Sequence, residues 1–370
     1  MALATRFKVI QTLDDDFIDI TKNLPSLQFE SSLSEDEKRL IVLRPINHAQ
    51  TVTHCALATV MVDIFNRARK GLFSLLNQDT EEADKTEICG EDTDPLIVGI
   101  IGCGRLGRQI ANCLLTYGQL PPARLKISTR RPETLDLQDK GVECYFNNRR
   151  LVSSVHVVIL CVLPSQMFSV AEEIKDCISS SQIVISHFSS FPARRLSQIL
   201  CSSNIISLML RWSGENPEMM KYDHSRDVIA ALENRETVLH TCPIGAQKAD
   251  GIVSTDHRLP EMLILAVVNM CSEHALSQEH ILTIVHHAVF GESCKKPITC
   301  DRLVPRDFGI AEILEDNNRC FPFYNLVDVF ENGSDLSKVL LGNESLQKAF
   351  ISRYCRVFED YILKRKYGHL

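Results

Sequence analysis

Three glycines close to residue 100 have the spacing of a turn that binds phosphate. They form the pattern Gly102-x-Gly104-x-x-Gly107. In a strand–turn–helix unit the first glycine permits a tight turn, the second lets the backbone approach a pyrophosphate, and the third lets the helix pack closely on the strand. The unpaired N–H groups at the start of the helix then face the anion. The pattern predicts a dinucleotide site, with an ordinary tight turn that binds nothing as the alternative.

The sequence around the glycines predicts the elements that hold such a turn. The apolar run from Pro95 to Ile101 precedes the first glycine and has the composition of a buried strand. Apolar residues at helical spacing follow the third glycine as far as Leu115. Because strand, turn and helix come in the required order, we interpret this stretch as the start of a Rossmann domain.

A second strand, predicted from Leu125 to Arg131, indicates which dinucleotide the site prefers. At the end of this strand an acidic residue binds a ribose 2′-hydroxyl, whereas arginine accommodates a 2′-phosphate. No Asp or Glu occurs there before Glu133. Two arginines on a solvated loop are the alternative interpretation, but they do not explain the missing acid. NADP is therefore favoured over NAD, and the groups that would bind its phosphate belong to Ser128, Thr129, Arg130 and Arg131.

Further predicted strands complete an alternation of strands and helices. Apolar runs at 155–164, 181–188 and 204–210 predict three more strands, with helical segments between them. The expected fold class is α/β: a Rossmann doubly wound parallel sheet with a helical N-terminal extension and a helical C-terminal domain. The expected domains are residues 1–94, 95–254 and 255–370.

The N-terminal extension contains one predicted long helix, from about residue 49 to residue 76. Its apolar residues recur at helical spacing, and polar residues such as Asp63 and Lys70 fall elsewhere on the helix. The apolar stripe either packs on the protein's own body or binds a protein partner. Residues 78–94 follow with eight acidic residues and one lysine, which predicts an acidic linker.

The composition argues against several classes of protein. The chain of 370 residues has a net charge of −7 and lacks the basic face that nucleic acid or an anionic membrane requires. No apolar run is long enough to span a bilayer, and the first residues lack the apolar region of a signal peptide. The fourteen cysteines include no Cys-x-x-Cys pair, which is typical of reduced thiols. We expect a cytoplasmic protein without a metal site.

Two segments resemble the pyrroline-5-carboxylate reductase family. The first is Ile100 to Gly107, and the second runs from Gly141 through Asn148 to Pro164. The resemblance implies a Rossmann domain, cofactor contacts at the turn and at strand ends, and a helical domain that pairs two copies in a homodimer. With the arginine-bearing strand included, the predicted cofactor-binding residues are Gly102, Cys103, Gly104, Arg105, Leu106, Gly107, Ser128, Thr129, Arg130, Arg131, Asn148, Val162, Leu163 and Pro164.

The substrate half of the chain departs from that family's pattern. Leu163 stands where the family has lysine, and the loop that holds the substrate carboxylate has no counterpart around residues 295–307. Arg211 is the best candidate for substrate contact because it can pair with a carboxylate, and His187 is a candidate proton donor. The predicted function is hydride transfer from NADPH to a small imine or carbonyl substrate. The alternative is a non-catalytic NADP-binding sensor or scaffold.

Overall fold

The computed structural model describes most of the chain. The described residues are 33–40, 43–78, 95–188, 191–212, 227–245, 253–274, 276–291, 298–299, 303 and 320–368. The predicted acidic linker lies outside them except for Gln78, and so does the first part of the N-terminal extension, residues 1–32.

The central sheet has six parallel strands. They are β1 (Val98–Ile101), β2 (Leu125–Ser128), β3 (Glu143–Tyr145), β4 (Val157–Leu160), β5 (Ile183–Ser186) and β6 (Ile205–Ser207). Their order across the sheet is β3-β2-β1-β4-β5-β6. This is the order of a Rossmann domain, in which two halves meet between β1 and β4 and a ligand lies at that junction. The predicted fold class is confirmed.

Helices cover both faces of the sheet, as the fully buried strands β1, β4 and β5 require. Numbered along the described residues, the helices are α1 (Glu35–Leu40), α2 (Leu43–Gln78), α3 (Arg105–Thr116), α4 (Asn148–Val152), α5 (Met167–Ile174), α6 (Ala193–Leu200), α7 (Val228–Leu232), α8 (Arg235–Thr241), α9 (Leu259–Cys271), α10 (Gln278–Val285), α11 (Leu326–Asn332), α12 (Asp335–Gly342) and α13 (Glu344–Tyr367). Helices α4, α5 and α6 pack on one face. Helices α2 and α3 and most of the C-terminal helices form a larger core with the other face.

The long helix of the N-terminal extension, α2, lies in the middle of that larger core. It begins six residues before the predicted start at 49, and every residue from Val52 to Phe65 is buried. A helix that is apolar on nearly all sides is expected to be enclosed by other elements. Here α3, α9, α10 and α13 surround it. Packing on the protein's own body therefore accounts for the apolar stripe.

One ion pair joins α2 to the C-terminal helix. Asp63, on the face predicted to be polar, is buried and binds the guanidinium of Arg353 in α13. Arg67 also donates to Asp63, at 3.1 Å. Asp63 can be buried because Arg353, which lies far away in the sequence, neutralises its charge.

The C-terminal part of the chain contains helices, as expected from the sequence. They include α9, α10 with the π-helical turn His286–Phe290 that follows it, and α13. A separate antiparallel pair, β7 (Arg211–Trp212) and β8 (Val253–Ser254), lies between the parallel sheet and α9 in the sequence. Among the helices described, none has the length and apolar character that a membrane span requires.

Candidate functional site

The carboxyl ends of the central strands form one continuous edge. Gly102, Cys161, His187 and Leu208 directly follow β1, β4, β5 and β6. Each donates its N–H to the last carbonyl oxygen of the neighbouring strand, at 2.9, 2.8, 3.3 and 2.9 Å respectively. These bonds place the glycine turn beside the junction of β1 and β4, where a Rossmann domain holds its ligand.

Two of the three glycines are required by close packing. Gly102 has a φ angle of +91°, and a Cβ atom there would lie 2.9 Å from the carbonyl oxygen of Cys161. A Cβ atom on Gly107 would lie 2.2 Å from the carbonyl oxygen of Gly102. The first glycine therefore makes the turn, and the third brings α3 against it.

Gly104 differs because the space beside it is open. It precedes α3, has a φ angle of −78°, and an added Cβ atom would meet nothing within 4 Å. Packing therefore does not require glycine at this position. The open space leaves a path for a ligand to the N-terminus of α3, and a side chain at position 104 would occupy that path. The turn thus fits a bound pyrophosphate.

At the end of β2, the arginines are exposed and the serine is not. Ser128 is buried, and its hydroxyl donates to Oδ1 of Asn148 at 2.7 Å. Asn148 in turn donates to Glu173 at 2.7 Å. Thr129 is half-buried, whereas Arg130 and Arg131 are exposed. The two guanidinium groups are therefore available to an approaching phosphate, while the proton of the Ser128 hydroxyl is already used.

The other predicted cofactor residues surround the same edge. Cys103 is half-buried in the turn, and burial raises the pKa of its thiol to about 11, so the thiol is protonated at neutral pH. Leu106 packs against the larger core, and Arg105 is exposed at the start of α3. After β4, Val162 is half-buried, whereas Leu163 and Pro164 are exposed.

Arg211 is not part of the parallel sheet. It lies in β7, where it pairs with Ser254 of β8, and its side chain is exposed beside the exposed Trp212. The sequence places Arg211 at the end of the strand at 204–210, whereas β6 ends at Ser207 and the chain leaves the sheet there. The glycine turn and the ends of β2 and β4 therefore lie together at one edge of the sheet, and Arg211 is not part of that edge.

A buried histidine pair connects the sheet edge to the N-terminal extension. His187 follows β5, and its Nδ1 lies 3.0 Å from Nδ1 of His54 in α2. Both side chains are buried. Burial lowers the pKa of His54 to about 4, and burial together with His54 lowers that of His187. Both rings are therefore neutral at pH 7, so His187 is not a charged proton donor.

The lowered pKa values of His54 and His187 predict that the protein loses stability in mild acid. In the unfolded chain a histidine takes up a proton as the pH falls through about 6.5, whereas His54 in the folded protein stays neutral until about pH 4. The contribution of His54 to the free energy of unfolding is therefore complete above pH 6.5. It is lost as the pH falls from about 6.5 to about 4. At 1.36 kcal/mol per pKa unit, the loss is about 3 kcal/mol.

Urea unfolding of the native protein and of His54→Gln between pH 7 and pH 4 measures this effect. We expect the stability of the native protein relative to the variant to fall by up to about 3 kcal/mol over this range. The common titration of surface carboxylates cancels in the difference. A difference that does not change with pH would contradict the assignment.

No group of three or more His, Cys, Asp or Glu side chains in the described parts of the chain is arranged to hold a metal ion.

The strand order and the glycine turn together define the class: a dinucleotide-binding domain of the Rossmann type. Residues 97–189 match the family described as NADP oxidoreductase, coenzyme F420-dependent. The chain is also similar to the mouse protein named NADP-dependent oxidoreductase domain-containing protein 1, with 27% identity over 348 residues, which are 92% of this chain and 94% of the mouse protein.

Pyrroline-5-carboxylate reductases are similar over a shorter part of the chain. Pyrroline-5-carboxylate reductase 1 of Dictyostelium discoideum is 31% identical over 90 residues, which are 24% of this chain and 16% of that protein. Among solved structures, a pyrroline-5-carboxylate reductase from Coxiella burnetii matches 72% of this chain and 97% of its own, with 16% identity and a TM-score of 0.29. The resemblance to this family, stated above from its motifs, is confirmed by the sequence matches.

Proposed function

We propose that this protein is an NADP-dependent oxidoreductase of the pyrroline-5-carboxylate reductase type. The observation that carries the proposal is the glycine turn after β1, in which packing explains Gly102 and Gly107 and the space beside Gly104, at the N-terminus of α3, is open to a ligand. The exposed Arg130 and Arg131 at the end of β2 support a cofactor with a 2′-phosphate. The name of the mouse relative supports the same cofactor.

The proposed reaction reduces a small imine or carbonyl compound. NADPH, when bound, supplies a hydride to the carbon of the C=N or C=O bond, and the electron pair of that bond moves to nitrogen or oxygen, which takes up a proton. The protein's part is to bind and orient the reactants. The N-terminus of α3 would hold the pyrophosphate, and Arg130 and Arg131 would hold the 2′-phosphate. Leu163 and Pro164 border the edge of the sheet beyond β4.

Calorimetric titration with NADPH and NADH tests the cofactor. We expect NADPH to bind more tightly, and the substitutions Arg130→Ala and Arg131→Ala to weaken NADPH about 10- to 100-fold in total while NADH changes little, because charge-assisted bonds to the 2′-phosphate are lost. Arg149→Ala, which removes an exposed arginine in α4, is the matched control. If neither nucleotide binds, the proposal is wrong.

A non-catalytic NADP-binding sensor or scaffold is the second candidate. The sequence departures around residues 295–307 favour it, and most of those residues lie outside the described part. A screen of cyclic imines and ketones, followed by NADPH absorbance, separates the two functions. Oxidation of NADPH with any of them supports the enzyme, for which Arg211 is the proposed contact to a substrate carboxylate. Binding of NADPH without turnover supports the sensor.

The proposal extends to the partners and the location of the protein. A homodimer through the C-terminal helices stays a prediction, and so does a protein partner at the N-terminal helix. Large apolar side chains exposed in these regions are Leu341, Leu363 and Tyr367 at the C-terminus and Leu40 and Leu43 at the N-terminus. We propose a cytoplasmic location because buried free thiols, such as those of Cys55 and Cys113, suit a reducing compartment.

A further inference from the structure

The end of β2 lacks an acid in the sequence, but the fold brings one to it from another helix. No Asp or Glu follows β2 before Glu133. Glu173, near the end of α5, accepts a hydrogen bond from Nδ2 of Asn148 at 2.7 Å. Oδ1 of Asn148 in turn accepts from the hydroxyl of Ser128, the last residue of β2, at 2.7 Å. We call these three residues the β2-end network.

The direction of each hydrogen bond in the β2-end network is fixed. A carboxylate only accepts, so the amide of Asn148 must turn its nitrogen to Glu173 and its oxygen to Ser128. The Ser128 oxygen also accepts from the N–H of Asn147 at 3.3 Å. The proton of the Ser128 hydroxyl is thus used by Asn148, and the network presents oxygen acceptors rather than a hydroxyl donor at this strand end.

The charge of Glu173 has no cationic partner in the described part of the chain. Its neighbour Glu172 pairs with Lys175 at 2.8 Å, whereas the contact that Glu173 makes is the hydrogen bond from the neutral amide of Asn148. The side chain of Glu173 is exposed, so its field acts on a ligand at the strand end. The network therefore brings a negative charge to the end of β2.

A ribose bound at this edge meets groups of both signs at its 2′ position. In Rossmann domains an acid at the end of β2 accepts the 2′-hydroxyl of NAD, whereas arginine accommodates the 2′-phosphate of NADP. Here Arg130 and Arg131 are exposed after β2, and Glu173 reaches the same strand end through Asn148. A 2′-phosphate is attracted by the guanidinium groups and repelled by Glu173, and a 2′-hydroxyl can donate to the acceptors of the network.

We propose that Glu173 sets the balance between NADPH and NADH. It acts as a positioning residue, because it orients the amide of Asn148, and its charge weakens the binding of a 2′-phosphate. The inference rests on the proposed function, since it concerns the cofactor of the same site. We expect the native protein to accept both dinucleotides and to favour NADPH by about tenfold or less.

Calorimetric titration of the full chain and of Glu173→Gln with NADPH and NADH tests the inference. Glutamine keeps an oxygen that accepts from Asn148 and removes only the charge, so the network is retained. We expect the variant to bind NADPH about 5–10-fold more tightly and to change NADH by less than about twofold. The gain should shrink at 1 M KCl, where the Debye length is about 3 Å, and a merely structural role would not depend on salt in this way.

Glu172→Gln is the matched control, because it removes the charge of the adjacent acid, which is paired with Lys175. It should leave the ratio of the two affinities unchanged. Adenosine 2′,5′-bisphosphate and 5′-AMP differ only in the 2′-phosphate, and Glu173→Gln should strengthen the binding of the first and not of the second.

The inference is overturned if Glu173→Gln leaves the ratio of NADPH to NADH affinity unchanged, or if Glu172→Gln shifts it equally. These outcomes leave the proposed function standing, because NADPH still binds. If neither dinucleotide binds the native protein, the proposed function is wrong and the role of Glu173 is refuted with it.

Discussion

Replacing Gly104 by Asp is expected to leave the fold intact and to weaken NADPH binding by about a thousandfold. The new Cβ atom meets no neighbour within 4 Å, and the φ angle of −78° is ordinary for a non-glycine residue. Asp is also a favoured residue before a helix, where its carboxylate accepts the N–H groups of the first turn. In the proposed complex, those N–H groups bind the pyrophosphate. Repulsion between the Asp carboxylate and the pyrophosphate costs about 4 kcal/mol near a protein surface, which corresponds to a factor of about a thousand in affinity.

Calorimetry with NADPH and urea unfolding measure the two halves of this prediction. Gly342→Asp is the matched control, because an added Cβ atom there also meets nothing within 4 Å and the position lies in α12, away from the turn. It should bind NADPH normally. Normal NADPH affinity in Gly104→Asp would show that the cofactor does not use the N-terminus of α3.

Breaking the ion pair between α2 and α13 is expected to cause a large loss of stability. In Asp63→Ala, the buried guanidinium of Arg353 keeps its charge and loses its carboxylate partner. Removing one partner of a buried pair costs about 3–5 kcal/mol, because an uncompensated charge stays buried. Arg67, which also contacts Asp63, adds a second positive charge nearby.

The free energy of unfolding in urea measures this effect. Glu344→Ala breaks an exposed pair with Lys348 in the same C-terminal helix and should cost less than about 0.5 kcal/mol. The substitution of both Asp63 and Arg353 by apolar residues of similar size should recover much of the loss. Equal costs for the buried and the exposed substitution would contradict a role for the ion pair.

The part of the fold that could be predicted from the sequence is the part whose signal is local. The strand, the turn and α3 occupy about twenty consecutive residues, and the close packing at Gly102 and Gly107 is what their spacing already indicates. Strand ends were less predictable. The sequence predicts that the second strand reaches Arg131, whereas β2 ends at Ser128, because the neighbouring strands β1 and β3 both end opposite that residue.

The features that could not be predicted depend on residues far apart in the sequence. His54 contacts His187 across 133 positions, and no short motif marks either residue. A cleft at the amino-terminal edge of the sheet is likewise lined by residues of α2, of the loops that lead into β4 and β5, and of the end of α9. Asp63 has the pattern of a solvated residue and is buried only because Arg353 reaches it. Such contacts can be predicted only when the elements that pack on α2 are known. The apolar pattern of α2 does not specify those elements.

The central position of α2 has a consequence for how the protein is made. Asp63 and its partner Arg353 are 290 residues apart, so the helix is synthesised long before the last element that encloses it. At 5–20 residues per second, the interval is about 15–60 s. During that time, the apolar surface of α2 that faces α13 has no permanent partner, although the Rossmann strands can already pair. We therefore expect the growing chain to be most prone to aggregate while it is still attached to the ribosome.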